Sequence, residues 1–101
     1  MNTTITVEKH NGDPCIMVRV KNHEMMGHES NTLYVLGSCL VEEHKVIFDF
    51  SSVQMANSYF IDSIIKIYKK DKKKHASFIF SNQLHNLIAA TGLYKVIKII
   101  I

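Results

Sequence analysis

The chain has 101 residues, of which 47% are hydrophobic and 21% charged. This balance specifies one globular domain over residues 1–101 with a single modest core; it excludes a disordered chain and leaves little room for a large enclosed active site. A formal charge of +3 is too mild to point to nucleic acid unless it is concentrated.

Thr3 to Val7 is rich in β-branched residues and alternates, which predicts a strand. Asn11-Gly12-Asp13-Pro14 is a turn cluster. Cys15 to Lys21 alternates again, with Ile16, Val18 and Val20 on one face and Met17, Arg19 and Lys21 on the other. The two strands predict an antiparallel hairpin at a sheet edge. His23 to Glu29 is polar, irregular and holds Gly27. Ser30, Asn31 and Thr32 then offer caps for a helix carrying Leu33, Leu36, Leu40 and Val41 on one face. Glu42 and Glu43 oppose the dipole at its far end. Val46 to Phe50 is a short apolar run that suits a strand covered on both faces.

A second helix is predicted from about Ser58, with Phe60, Ile61, Ile64, Ile65 and Tyr68 on one stripe and an i,i+4 pair of Asp62 and Lys66 on another. Ala76 to Phe80 reads as a buried strand, and Ser81 or Asn82 caps a third helix with Leu84, Leu87 and Ile88 inward. Thr91-Gly92-Leu93 closes it, with Gly92 at the left-handed C′ position and Leu93 folding back. Val96 to Ile101 is apolar and β-branched, a final strand. No internal repeat, linker or low-complexity segment occurs.

Two strands followed by repeated helix–strand units predict an α/β fold. Its mixed, mostly parallel central sheet begins with an antiparallel hairpin and is packed by about three to four helices. Loops at the C-terminal ends of the strands, Ser51 to Asn57 among them, gather on one edge, where sites in open α/β sheets lie. Ser58 stands at the mouth of the second helix. A phosphate on its oxygen would meet the positive end of the helix dipole and free backbone N–H groups. The same position also suits a plain N-cap, worth about 1 kcal/mol.

Three segments carry a resemblance to the STAS domain of bacterial anti-sigma factor antagonists. Asp49-Phe50-Ser51-Ser52-Val53 resembles the family's Asp-Leu-Ser-Gly-Val after the third strand. Asn57-Ser58-Tyr59-Phe60 occupies the place of its Asp-Ser-Ser-Gly, and Ala90-Thr91-Gly92-Leu93-Tyr94-Lys95-Val96-Ile97 is similar to its closing Thr-Gly-Leu and apolar strand. The resemblance implies a single STAS-like domain that works by regulated binding and is not an enzyme. It implies Ser58 as phosphoacceptor, and as partner a serine-kinase anti-sigma factor or another STAS-binding protein. Unphosphorylated antagonist would bind the kinase and free the sigma factor. The Ser51–Asp62 edge would be the docking surface, with Asp49, Ser51, Asn57, Tyr59, Phe60 and Asp62 as partner-binding residues. A role in bacterial transcription regulation, a cytoplasmic location and no cofactor follow from the same resemblance.

The chain departs from the family at three places. Asn57 replaces the acidic residue before the serine, Phe60 replaces the glycine, and Asn22-His23-Glu24-Met25 stands where the family has Gly-x-Leu-Asp. The serine–aromatic–apolar run is closer to stressosome-type STAS proteins. The alternative is therefore a scaffold or accessory subunit, in a stressosome-like assembly or a membrane-transport complex, without a phospho-switch. The apolar final stretch leaves room for a homodimer.

Other constellations point away from chemistry. Lys69, Lys70, Lys72, Lys73, Lys74 and His75 form a basic run, but no aromatic residue is interleaved to stack on bases. It reads as a solvated helix end suited to the dipole, with no nucleic-acid partner. His23 and His28 are a near miss for His-Glu-x-x-His; five residues set them about 140° apart on a helix, so no shared metal is expected. No Gly-x-Ser-x-Gly elbow and no glycine-rich phosphate loop occurs. Cys15 and Cys39 lack Cys-x-x-Cys spacing and read as reduced structural thiols. No signal segment opens the chain and no apolar run approaches the roughly 18 residues of a membrane span, so direct membrane insertion is not expected.

Overall fold

The computed structural model describes residues 5–9, 15–71, 76–91 and 99–100. Ten elements follow in chain order: β1 (Ile5–Lys9), β2 (Cys15–Val20), β3 (Glu24–Met25), α1 (Gly27–Val41), β4 (Lys45–Phe50), β5 (Met55–Ala56), α2 (Ser58–Lys70), β6 (Ser77–Phe80), α3 (Asn82–Thr91) and β7 (Ile99–Ile100). The main sheet has the order β1-β2-β4-β6-β7. β1 and β2 are antiparallel, with Val7 opposite Val18, and the other neighbours are parallel. The α/β architecture with its edge hairpin is the one the sequence predicts. β3 and β5 form a separate two-stranded parallel pair that the sequence does not announce.

The register lines up the largest side chains. Phe48 lies opposite Phe78, and Phe50 opposite Phe80. Their rings stack across the strands at 5.3 and 5.8 Å between centroids. Phe60 from α2 meets Phe50 edge-on at 5.1 Å. All five phenylalanines of the chain thus gather in one cluster, an arrangement that adds geometric preference to plain burial. Val18, Val20 and Val46 extend the same sealed face, and Leu33, Ile64, Ile67, Leu84 and Ile88 close over it from the three helices.

The opposite face of β4 corrects the expectation of cover on both sides. Ile47 and Asp49 are only half-buried, as are Met17, Arg19 and Ile79 on neighbouring strands. The reason is in the alternation: that side of β4 carries Lys45, Ile47 and Asp49, and Arg19 answers Asp49 at 3.2 Å and Glu8 at 3.3 Å.

α1 begins at Gly27, one turn before the predicted caps Ser30, Asn31 and Thr32. Met26 is the N-cap and supplies no side-chain cap. Ser30 lies inside the helix, buried, and its carbonyl accepts the Ser63 hydroxyl at 3.1 Å. Pairing of Met25 in β3 delivers the chain to the helix earlier than composition suggests. Gly37 allows a close helix approach. A Cβ there would stand 2.8 Å from Ile67 Cδ1 and 3.0 Å from a Phe48 ring carbon.

α2 buries Phe60, Ser63, Ile64 and Ile67, while Ile61, Ile65 and Tyr68 are half-buried at the flank of the predicted stripe. Asp62 and Lys66 pair at 2.9 Å. Ser81 caps α3, its hydroxyl accepting the Leu84 N–H at 3.1 Å. Leu84 and Ile88 point inward as predicted, but Leu87 is 39% exposed. The 11–14 turn, the 72–75 basic segment, the Gly92 C-cap motif and most of the predicted final strand lie outside the described residues. Among the described residues no helix is long and apolar enough to cross a membrane.

Candidate functional site

The path from β4 to α2 is held by bonds at every step. Asp49 Oδ1 accepts the Ser51 N–H at 3.0 Å, which forms the turn at the strand end. The Val53 N–H returns to the Phe50 carbonyl at 3.0 Å, and the Val53 side chain is fully buried. The Val53 carbonyl accepts the Ser81 hydroxyl, tying this loop to the start of α3. The Gln54 and Met55 N–H groups both reach the His23 carbonyl, at 2.8 and 3.0 Å, and the Asn57 N–H reaches the Met25 carbonyl at 3.4 Å. A loop with this many paired backbone groups, anchored by buried Val53, is held in place.

Ser58 is the first residue of α2 and its side chain is exposed. It is not the cap. Asn57 holds that place in an extended conformation, with its Oδ1 accepting the Tyr59 N–H at 3.1 Å. The Asn57 carbonyl also accepts the Phe60 and Ile61 N–H groups, at 3.1 and 3.4 Å. The expectation of several free N–H groups is corrected: Asn57 takes most of them. What a phosphate on Ser58 meets is the positive end of the dipole and Ser58's own N–H. No acidic side chain lies in the first turn of α2, and Asp62, one turn further on, is paired with Lys66.

The sequence-predicted residues fall into different settings. Ser51, Tyr59 and Asp62 are exposed, and Asn57 is half-buried. Asp49 is half-buried below the turn. Burial alone would raise its pKa; the Ser51 hydroxyl and N–H and then the Arg19 guanidinium outweigh that and hold the carboxyl below its ordinary value. Phe60 corrects the prediction that it binds a partner. It is fully buried against Phe50, because the third position of a helix lying on this sheet points inward. Its contribution is to bolt the first turn that presents Ser58.

Residues the sequence reading left out complete the surroundings. Ala56, Asn57, Ser58, Ile61, Asp62, Ile65 and Leu87 line an open groove of about 400 Å³. Met55 is 57% exposed, Tyr59 65% and Leu87 39%. Three of the five large hydrophobic side chains exposed among the described residues therefore stand on the segments around Ser58. Gly27 sets the pose of one of them: a Cβ there would come within 3.3 Å of the Tyr59 ring, so the ring lies against the first turn of α1. The sequence signal was available in Leu87, whose stripe mates Leu84 and Ile88 already fill the inward face of a short helix.

Among the described residues no three His, Cys, Asp or Glu side chains are placed to hold a metal ion. Cys15 is buried and Cys39 exposed, and neither forms a disulfide. Chemically the arrangement offers the Ser58 hydroxyl at a helix start, with exposed apolar side chains on the segments around it.

No family model and no curated protein sequence matches the chain. Solved structures do match it. An anti-sigma factor antagonist from Mycobacterium paratuberculosis superposes with a TM-score of 0.81 at 20% identity, covering 97% of this chain and 85% of that one. The anti-sigma factor antagonist SpoIIAA in its unphosphorylated form gives 0.69 at 10% identity, covering 97% and 88%. A Shewanella loihica protein with a SpoIIAA-like fold gives 0.59 at 12% identity, covering 96% and 82%. At these identities the likeness is one of fold.

Proposed function

We propose, from the fold shared with anti-sigma factor antagonists, that this protein is a binding protein of that kind, switched by phosphorylation of Ser58. The observation that carries the reading is an exposed Ser58 hydroxyl at the start of α2, framed by Met55, Tyr59 and Leu87 on a clamped loop. Exposed apolar side chains gathered around one reactive group are what a docking partner would cover. The partner is a serine-kinase anti-sigma factor, which binds the unmodified form and transfers the γ-phosphoryl group of ATP to the Ser58 oxygen. Ser51, Asn57, Tyr59 and Asp62 contribute to the contact; Asp49 acts through the turn it holds.

The switch is electrostatic. Phosphorylation adds roughly −1.5 to −2 charges beside the exposed apolar side chains of this surface. Bringing that charge under a partner shaped for a hydroxyl costs a few kcal/mol, about a hundredfold in affinity. The modified chain stays folded, because the helix dipole favours negative charge at that point.

The test incubates the purified chain with ATP and an anti-sigma serine kinase from the same genome. Mass spectrometry should find one added phosphate that Ser58→Ala abolishes, and Ser58→Asp should bind the kinase about a hundredfold more weakly. A tight complex without any phosphate would replace the reading with that of a constitutive scaffold or accessory subunit. No complex at all would remove the kinase as partner.

A further inference from the structure

The face of the sheet away from Phe48 and Phe50 carries a charged network that ends at the docking edge. Arg19 on β2 lies level with Asp49 on β4 in the parallel register. Its guanidinium is divided three ways. Nε donates to Asp49 Oδ2 at 3.2 Å, Nη1 to Glu8 Oε2 at 3.3 Å and Nη2 to the Met17 sulfur at 3.1 Å. The Asp49 carboxylate is divided as well. Oδ2 faces Arg19, while Oδ1 accepts the N–H of Ser51, the first residue beyond β4. Only 13% of the Asp49 side chain is exposed, so little water competes for either oxygen. β6 sets apolar Ile79 opposite Asp49; among the described residues its charged neighbours are Arg19 and, through Arg19, Glu8.

We propose that Arg19 is a positioning residue of the docking edge: it fixes Asp49 Oδ2 so that Oδ1 meets the Ser51 N–H, and thereby sets the pose in which Ser51 meets a partner. The inference rests on the reading of Ser51 as part of that edge. A carboxylate turns about its Cβ–Cγ bond in a broad, roughly two-fold well, so by itself it does not hold one chosen oxygen toward the turn. A guanidinium presents its donors in a rigid planar fork. With Nη1 engaged by Glu8 and Nη2 by Met17, the plane of the fork is set and Nε is aimed at one oxygen of Asp49. The other oxygen is then left for the strand end. A lysine carries a compact point charge on a flexible stem and lacks this fork, so it would supply the charge without the aim. Arg19 acts through Asp49 and is not itself among the residues placed at the contact.

The experiment is NMR on the isotope-labelled full chain, followed by phosphorylation kinetics with the anti-sigma kinase. The Ser51 amide proton should titrate with the Asp49 carboxyl as pH falls. Arg19→Gln should move that midpoint up, toward the ordinary carboxylate value, because the guanidinium helps to hold it down. At fixed neutral pH it should also speed Ser51 hydrogen exchange about fivefold to tenfold. Arg19→Lys should recover part of the midpoint and less of the exchange. Glu8→Gln, which leaves Arg19 to Asp49 alone, should move the midpoint down. In an Asp49→Asn background, Arg19→Gln should leave Ser51 exchange unchanged. With the kinase, Arg19→Gln should raise the KM for the chain about fivefold at unchanged kcat, since Ser51 binds while Ser58 reacts. Circular dichroism checks that each variant is folded. A Ser51 amide indifferent to Arg19→Gln overturns the proposal. So does an equal loss in the Asp49→Asn background, or an unchanged KM. If the kinase transfers no phosphate to the parent chain, the Ser58 reading falls by itself, and the Ser51 amide still decides whether Arg19 sets the turn.

Discussion

Asn57 and Ser58 divide two duties that a single helix-mouth residue often combines. The amide of Asn57 caps α2, and the neighbouring hydroxyl is left exposed. Asn57→Ala should therefore cost about 1 kcal/mol, the ordinary worth of an N-cap. Ser58→Ala should change stability by no more than about 0.5 kcal/mol. Urea unfolding of both variants checks the pair of values. A Ser58→Ala loss as large as that of Asn57→Ala would show the hydroxyl doing the capping. The position of Ser58 was legible in the sequence because a polar turn followed by an amphipathic stripe is a strong local signal. The inward turn of Phe60 was not. Motif matching aligned it with a family glycine on the surface, while its ring is drawn into contact with Phe50 by a partner ten residues earlier in the chain.

Elements are placed here by close approaches and by single side-chain ties. Gly37 lets α1 settle on α2 and β4, and Gly37→Ala should cost about 1–3 kcal/mol through overpacking against Ile67 and Phe48. Adding Ile67→Val should return part of that loss, a coupling readable in a double-mutant cycle by thermal or urea unfolding. Ser81 serves two elements, capping α3 and holding the Val53 carbonyl. Ser81→Ala should cost about 1–2 kcal/mol and speed hydrogen exchange at Val53 and Gln54 without unfolding the sheet. Element type was largely readable: period two in β2, a stripe in α2, apolar runs in β4 and β6. The start of α1 and the β3–β5 pair were not, for one physical reason. Each β3 and β5 strand has two residues, too short to show any period, and their pairing joins Met25 to Ala56 across α1 and β4. Local composition at Ser30, Asn31 and Thr32 then suggested a cap that long-range pairing had already made unnecessary.

Across the whole molecule, one charged group links the antiparallel hairpin to the parallel sheet. Arg19 on β2 reaches Glu8 on β1 and Asp49 on β4. The folded Asp49 carboxyl titrates below its ordinary value of 3.8. In that window the unfolded chain binds the extra proton, so the group's contribution to stability is complete above the ordinary value and is lost as pH falls through the folded one. Asp49→Asn should accordingly be less stable than the parent near neutrality, with the gap narrowing below about pH 4. A constant gap down to pH 2 would remove the carboxylate's charge as the cause. The same broad arrangement has an optical consequence. The chain has no tryptophan and four tyrosines, so its near-ultraviolet emission is phenolic. Of the tyrosines described, Tyr59 is the exposed one, beside the hydroxyl at the mouth of α2. A partner that covers both that hydroxyl and this ring would take the ring out of water, so its occupancy becomes readable in a fluorimeter, with no label attached.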